Sequence, residues 1–258
     1  MGQEDLMSIL RKVAVIIRSY NNRHVEKVVK NYLDMGLGLV LVVVNSTHDK
    51  GSTRGWLADI NDPRLMILDI FEGYSWTSAL NRGVMAIHMA NLRDQKIDFV
   101  MNASVEALFT KDQALSMVHE FADDSVGVVG TSFDARQDGN SISTGRSYRH
   151  PRNTGMMIRL STFGVVLGCF DGYCDNVGGM EDIDFILAML ALSPYRVKML
   201  NLRVKLIVGV NYNQSQKEER EQAAMDKIIA RWRSLFLPDT VERKQIDGVI
   251  ASMELEVQ

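Results

Sequence analysis

Glu181, Asp182 and Asp184 follow directly on Gly178-Gly179-Met180, so three carboxylates crowd the end of a glycine pair. Just beyond, the apolar positions Ile183, Ile186, Leu187 and Leu190 recur at i, i+3, i+4 and i+7, which predicts a helix with that stripe turned inward. The acidic residues then occupy its first turn, where the positive end of the helix dipole favours ionised carboxylates. The glycines let a ligand approach backbone that a side chain would shield. Carboxylates held beside such an opening can take a proton from a hydroxyl or hold hydroxyls in place. The same string also reads as an acidic cap on a core helix, and its surroundings decide between the two.

Those surroundings alternate strand and helix. Val13-Ala14-Val15-Ile16-Ile17 is a continuous aliphatic run, as expected of a strand covered on both faces, and Leu39 to Val44 is a second. Further strands are predicted at 64–70, 97–101 and 126–129, with helices over 23–35, from Ser75 or Thr77 to about Asn91, and 111–121. Thr110-Lys111-Asp112-Gln113 fits a capping box for the last of these. Repeated βα units specify a mostly parallel sheet with right-handed crossovers. The pattern breaks at Thr131 to Asn153, a polar and basic stretch. Beyond the acidic helix come strands at 196–200 and 204–210 and helices at 215–235 and 241–253. The expected organisation is one α/β domain over 1–210 with a helical extension, 211–258, belonging to it.

Composition narrows the class. A chain of 258 residues, 46% hydrophobic, can bury a full core. A net charge of -3 and a pI near 6.0 argue against a nucleic-acid binder, which is usually basic. Cys169 and Cys174 alone make neither a disulfide scaffold nor a four-ligand zinc site. No apolar run approaches the roughly 20 residues of a membrane span, and Arg18 interrupts the first apolar run too early for a secretion signal. The expectation is a soluble, cytoplasmic protein, with homo-oligomerisation left open.

Read in order, these segments resemble a family-2-type glycosyltransferase with the GT-A fold, a three-layer α/β arrangement around a mostly parallel sheet. Val13 to Asn21 looks like that family's first strand with its Tyr-Asn ending. Ala79-Leu80-Asn81-Arg82-Gly83 is similar to its Ala-Arg-Asn-x-Gly. Phe99 to Ser104 stands where the family has an apolar strand ending in Asp-x-Asp. Gly168-Cys169-Phe170-Asp171 and Gly178 to Asp184 resemble its Gly-Gly-Phe-Asp and Gly-Gly-x-Glu-Asp-x-Asp segments. The resemblance spans roughly 13–210. It implies a nucleotide-sugar donor, commonly a UDP-sugar, and a glycan, lipid or small-molecule acceptor. It also implies Asp182 as the base that deprotonates the acceptor, with Glu181 facing sugar hydroxyls. Tyr20, Asn21, Asn45 and Asn81 are then expected at the nucleotide, and Asn102 and Ser104 nearer the diphosphate.

Asn45 stands where the family often has an aspartate at the base and Leu80 where it has an arginine, and the other departures concern the metal. Asn102 and Ser104 occupy the two aspartate positions, and an amide and a hydroxyl are poor substitutes for the carboxylates that Mg²⁺ or Mn²⁺ prefers. Glu106 is out of register, and Asn211 and Asn213 stand where many members place a late histidine ligand. The metal ligands are therefore left unassigned, with Mg²⁺ or Mn²⁺ as the candidate ions. One explanation is a metal-independent transferase in which Arg149 and Arg152, with Arg146 and His150 nearby, supply forks that suit phosphate oxygens. The other is an inactive nucleotide-sugar or glycan binder on the same fold. A nucleotidylyltransferase shares the opening strands, but Arg18 to Asn22 does not look like that class's glycine-rich loop. His24, His48, His88 and His119 lack metal spacing. Lys50 to Thr53 lacks the glycine of a phosphate loop, and Arg231-Trp232 matches only half of a Gln-x-x-Arg-Trp signature.

Overall fold

The computed structural model describes residues 3–71, 76–105, 107–131, 155–165, 181–200, 202, 204–206 and 214–254. Gln3–Leu10 (α1) leads into Val13–Ser19 (β1), followed by Val25–Asp34 (α2) and Leu39–Asn45 (β2). Ser46–Asp49 (α3) and Ser52–Leu57 (α4) precede Leu65–Ile70 (β3), Trp76–Asn91 (α5) and Phe99–Ser104 (β4). Ala107–Leu108 (β5), Lys111–Glu120 (α6) and Val126–Thr131 (β6) come next, then Met156–Arg159 (β7) and Leu160–Val165 (α7). Glu181–Leu192 (α8), Arg196–Leu200 (β8), Lys205–Leu206 (β9), Gln214–Leu235 (α9) and Val241–Glu254 (α10) complete the order.

Seven strands form one sheet in the order β3-β2-β1-β4-β7-β6-β8, and β5 pairs with β9 apart from it. Within the large sheet β7 alone runs antiparallel, to β4 on one side and β6 on the other. The other pairs are parallel, so β1, β2, β3, β4, β6 and β8 all end at one edge. The mostly parallel sheet matches expectation. The reversed strand falls in a segment, 156–159, for which no strand is predicted above. Every side chain of β1 and β2 is buried, as strands covered on both faces require.

Alternation along the strands divides the core into two layers. Val13, Val15 and Ile17 of β1 pack with α1, α2 and α6. Ala14 and Ile16 pack with α5, α7 and α8 on the other face. Gly83 is where α5 comes closest to that second face, since a Cβ there would stand 2.8 Å from Ile16 Cδ1. Thr110 and Gln113 form the expected capping box at α6. The α8 helix is buried on two sides rather than along one stripe. Phe185 and Met189 meet the sheet, while Ile183 and Leu187 meet Met225, Ile228 and Trp232 of α9 and Ile246 and Ile250 of α10.

Candidate functional site

Several strands run two or three residues past their expected ends, which brings candidate residues into the sheet itself. Arg18 and Ser19 close β1, Asn45 closes β2, and Asn102 and Ser104 lie in the last three positions of β4. Arg18 is in register with Ser104, and Ile16 with Asn102. By alternation Arg18, Asn45, Asn102 and Ser104 share the face that carries α5 and α8. A polar cluster thus replaces the apolar layer at the carboxyl end of that face. Arg18 is 8% exposed, Asn45 5% and Asn102 1%, while Ser104 is half-buried. Asn45 Oδ1 has no hydrogen-bond partner among the described residues. The carbonyl of Asn102 accepts the N–H of Gly155 at 3.1 Å, which ties β4 to the start of β7.

Ser19 points to the opposite face and into a second network. Its hydroxyl meets Thr53 Oγ1 at 2.9 Å, and the N–H of Thr53 donates to Asp49 Oδ2 at 2.9 Å. Asp49 is 1% exposed, and its Oδ1 accepts the Thr53 hydroxyl and the backbone N–H of Asn21, the latter at 3.3 Å. Asn21 adopts a left-handed φ of 46°, a conformation that asparagine tolerates better than most residues. Asp49 therefore fixes the turn that presents Tyr20. That ring is 53% exposed and lies 5.3 Å from the His48 ring, giving an aromatic pair at the ends of β1 and β2. An exposed ring pair suits a flat heterocycle.

The α5 helix runs back against the strands, so its amino end also lies at the carboxyl edge. It has no acidic residue in its first turn, and Thr77 and half-buried Asn81 lie on its early turns. Its dipole adds positive potential where the cluster sits. The α8 helix is followed by β8 after a short turn, which directs its own amino end to the same edge. Asp182 is 8% exposed there, and its Oδ1 accepts the N–H of Ile183 at 3.0 Å. Asp184 has a different setting. It is 3% exposed, Trp232 Nε1 donates to its Oδ1 at 2.7 Å, and Arg231 Nη1 lies 3.8 Å away. The acidic trio is thereby split, with Asp184 holding α8 to α9.

Tyr20, Asn21, Asn45, Asn81, Asn102, Ser104 and Asp182 thus all gather at one edge of the sheet. Glu181 starts α8, but its side chain lies outside what is described, as do Arg146, Arg149, His150, Arg152 and Glu106. Four contributors were not assigned from the sequence. Arg18 reads there only as the residue that interrupts an apolar run, although extending β1 by one step marks it as buried. Thr53 lies in the stretch 50–53, set aside for lacking a phosphate-loop glycine, Asp49 directly precedes that stretch, and nothing in their spacing announces a carboxyl–hydroxyl network. His48 shows its value only through its contact with Tyr20.

The donors on β4 do not suit a divalent cation. They offer one amide and one hydroxyl, and the guanidinium of Arg18 occupies the neighbouring register position on the same face. Among the described residues no three His, Cys, Asp or Glu side chains gather as a ligand set.

By sequence the chain matches no family model and no curated protein. Its fold does match solved structures. S. aureus TarS residues 1-349 in complex with UDP-GlcNAc superposes with a TM-score of 0.63 at 13% identity, covering 94% of this chain and 71% of that one. A second crystal structure of S. aureus TarS residues 1-349 gives 0.58 at 15% identity, covering 94% and 70%. The 4-diphosphocytidyl-2C-methyl-D-erythritol synthase of Anaerococcus prevotii gives 0.53 at 9% identity, covering 85% and 98%. The fold is GT-A-like.

Proposed function

We propose that this chain is an inverting glycosyltransferase that moves a sugar from a UDP-sugar to an acceptor hydroxyl on a glycan, lipid or small molecule, without a metal. The observation that carries the reading is the gathering of Tyr20, Asn21, Asn45, Asn102 and Ser104 at one sheet edge, with Asp182 on the first turn of α8, whose amino end lies at that edge. In open parallel sheets this edge collects the loops and helix ends that ligands use. The TarS complex with UDP-GlcNAc supports the donor class.

In this reading Tyr20 and His48 receive the base, Asn21 and Asn45 the ribose, and Asn81, Asn102 and Ser104 face the diphosphate. The acceptor oxygen attacks the anomeric carbon in line with the departing diphosphate. Asp182 takes the acceptor proton, and the bond from the sugar to the diphosphate breaks with its electron pair on phosphate oxygen. Glu181 faces the sugar hydroxyls. Arg149 and Arg152 are the candidate counter-charges for the phosphates.

A second reading has one observation in its favour. Asp182 is buried and bonded to its own helix, as a structural cap would be, so the chain would bind a nucleotide-sugar without transferring it. Thermal shift with UDP-sugars, run in EDTA and again in Mn²⁺, tests the shared premise. Ligand at 100 times its Kd adds about 2.7 kcal/mol, or about 5–10 °C for a domain of this size. Release of UDP on adding acceptor then separates transferase from binder. No shift with any nucleotide-sugar would sink both.

A further inference from the structure

We infer that β3 is the pairing surface for a second copy of this chain, antiparallel to it across a two-fold axis at Ile67. The inference stands apart from the nucleotide-sugar reading.

Among the described residues the large sheet ends in β8 on one side and β3 on the other. Arg196 and Lys198 are exposed on β8, and charges on an edge strand discourage pairing with a further strand. β3 lacks that protection. It reads Leu-Met-Ile-Leu-Asp-Ile, and its one charge, Asp69, is held by Arg54 and by the Ser46 hydroxyl at 2.7 Å. Leu65 and Ile67 are half-buried against one core layer and Leu68 against the other, while Met66 is 37% exposed. A bare apolar edge is a template for open-ended association. A two-fold dimer covers both copies of the edge at once and closes, so a second copy is the occupant that leaves neither bare.

Backbone direction sets the register. The Val40 N–H donates to the Arg64 carbonyl at 2.8 Å, and Val40 is the parallel partner of Leu65. The even-numbered residues of β3 therefore turn N–H and C=O to β2, and Leu65, Ile67 and Asp69 turn theirs outward. With the axis at Ile67, that residue exchanges both bonds with Ile67 of the second copy. The Asp69 N–H of each copy then reaches the Leu65 carbonyl of the other, and the Leu65 N–H already serves Asp62 at 3.0 Å. The side chains agree with this register. Ile67 meets Ile67 on one face, and Met66 meets Leu68 on the other. Asp69 faces Leu65 of the second copy, so its charge meets no like charge there. Six-residue strands pair over about 20 Å, which places the contact at or below the low end of specific interfaces, about 1,200 Å². The dimer is therefore reversible and concentration-dependent.

Sedimentation velocity from about 1 to 500 µM covers the range expected of so small an interface. The wild type should pass from the 29.0 kDa of one chain towards twice that mass as concentration rises. Ile67→Pro removes an outward N–H and spares the ladder to β2. It should raise the dimer Kd by about tenfold or more, since both central bonds are lost. Ile67→Lys and Ile67→Glu each set like charges face to face at the axis, and each alone should be monomeric. An equimolar mixture of the two should dimerise again, because opposite charges then meet, and a folding defect cannot produce that rescue. A wild type that stays monomeric at the highest concentration overturns the inference, as does one that grows past the dimer. Dimerisation of Ile67→Pro with wild-type affinity, or a mixture that stays monomeric, overturns it as well.

Discussion

Asp184→Ala is the substitution whose outcome the structure defines most closely. The carboxylate is 3% exposed, and the Trp232 indole, itself 7% exposed, donates to it at 2.7 Å. Alanine leaves that N–H buried with no acceptor, which costs about 1–3 kcal/mol. It also strips the ion-pair partner at 3.8 Å from Arg231, whose side chain is 30% exposed, so water recovers part of that loss. The sum is about 2–4 kcal/mol. In a domain of this size each kcal/mol moves Tm by about 2–4 °C, so a fall of roughly 4–16 °C is expected by calorimetry. Asp184→Asn keeps an oxygen for the indole and should lose less than half as much. Trp232→Phe removes the donor from the other side. In the double-mutant cycle of Asp184→Ala with Trp232→Phe, the second change should cost about 1–2 kcal/mol less once the first is made. Additivity within about 0.5 kcal/mol would refute the bond as the link between α8 and α9, and with it the split of the acidic trio into a structural and a chemical half.

Asp182→Asn should lower turnover by about 10²–10⁴-fold, as removal of a general base does, with donor affinity nearly unchanged and Tm within a few degrees. Unfolding with activity per folded molecule intact would instead make Asp182 a cap. Asp49→Ala removes the acceptor for Thr53 and for the N–H of Asn21, so it should cost about 1–3 kcal/mol in urea denaturation and weaken nucleotide binding several-fold. Unaltered binding would detach the Tyr20 turn from the site. The Arg64 side chain, by hydrogen bonding, holds the Asp62 carboxyl below the usual aspartate range. Burial pushes Asp69 up, but hydrogen bonds from Arg54 and Ser46 and the charge of Arg54 bring it below that range on balance. Folded-state values below the unfolded ones stabilise the protein above about pH 4 and lose that contribution as pH falls through them. The urea midpoint should therefore hold from neutral pH down to about 5 and then drop, and Arg54→Met should flatten the drop.

How much was legible in the residues alone varies with the range of the interactions involved. Aliphatic runs bounded by glycine and charge determined the parallel sheet, because burial on both faces admits little else at those lengths. The capping box at Thr110 was legible because its bonds span three residues. The placement of Tyr20, Asn21, Asn45, Asn102 and Ser104 at one edge followed from strand order, since parallel strands joined by crossovers must end together. The tertiary structure alone decided matters that depend on distant partners. The reversed β7 is set by pairing with β4 and β6, which no local period encodes. The second buried side of α8 exists only because α9 and α10 cover it, and Trp232, forty-eight residues away, is what makes Asp184 structural. Arg18 shows the boundary between the two. Its charge was plain in the sequence, but its burial and its seat across from Ser104 follow from β1 running on two residues and finding β4 alongside.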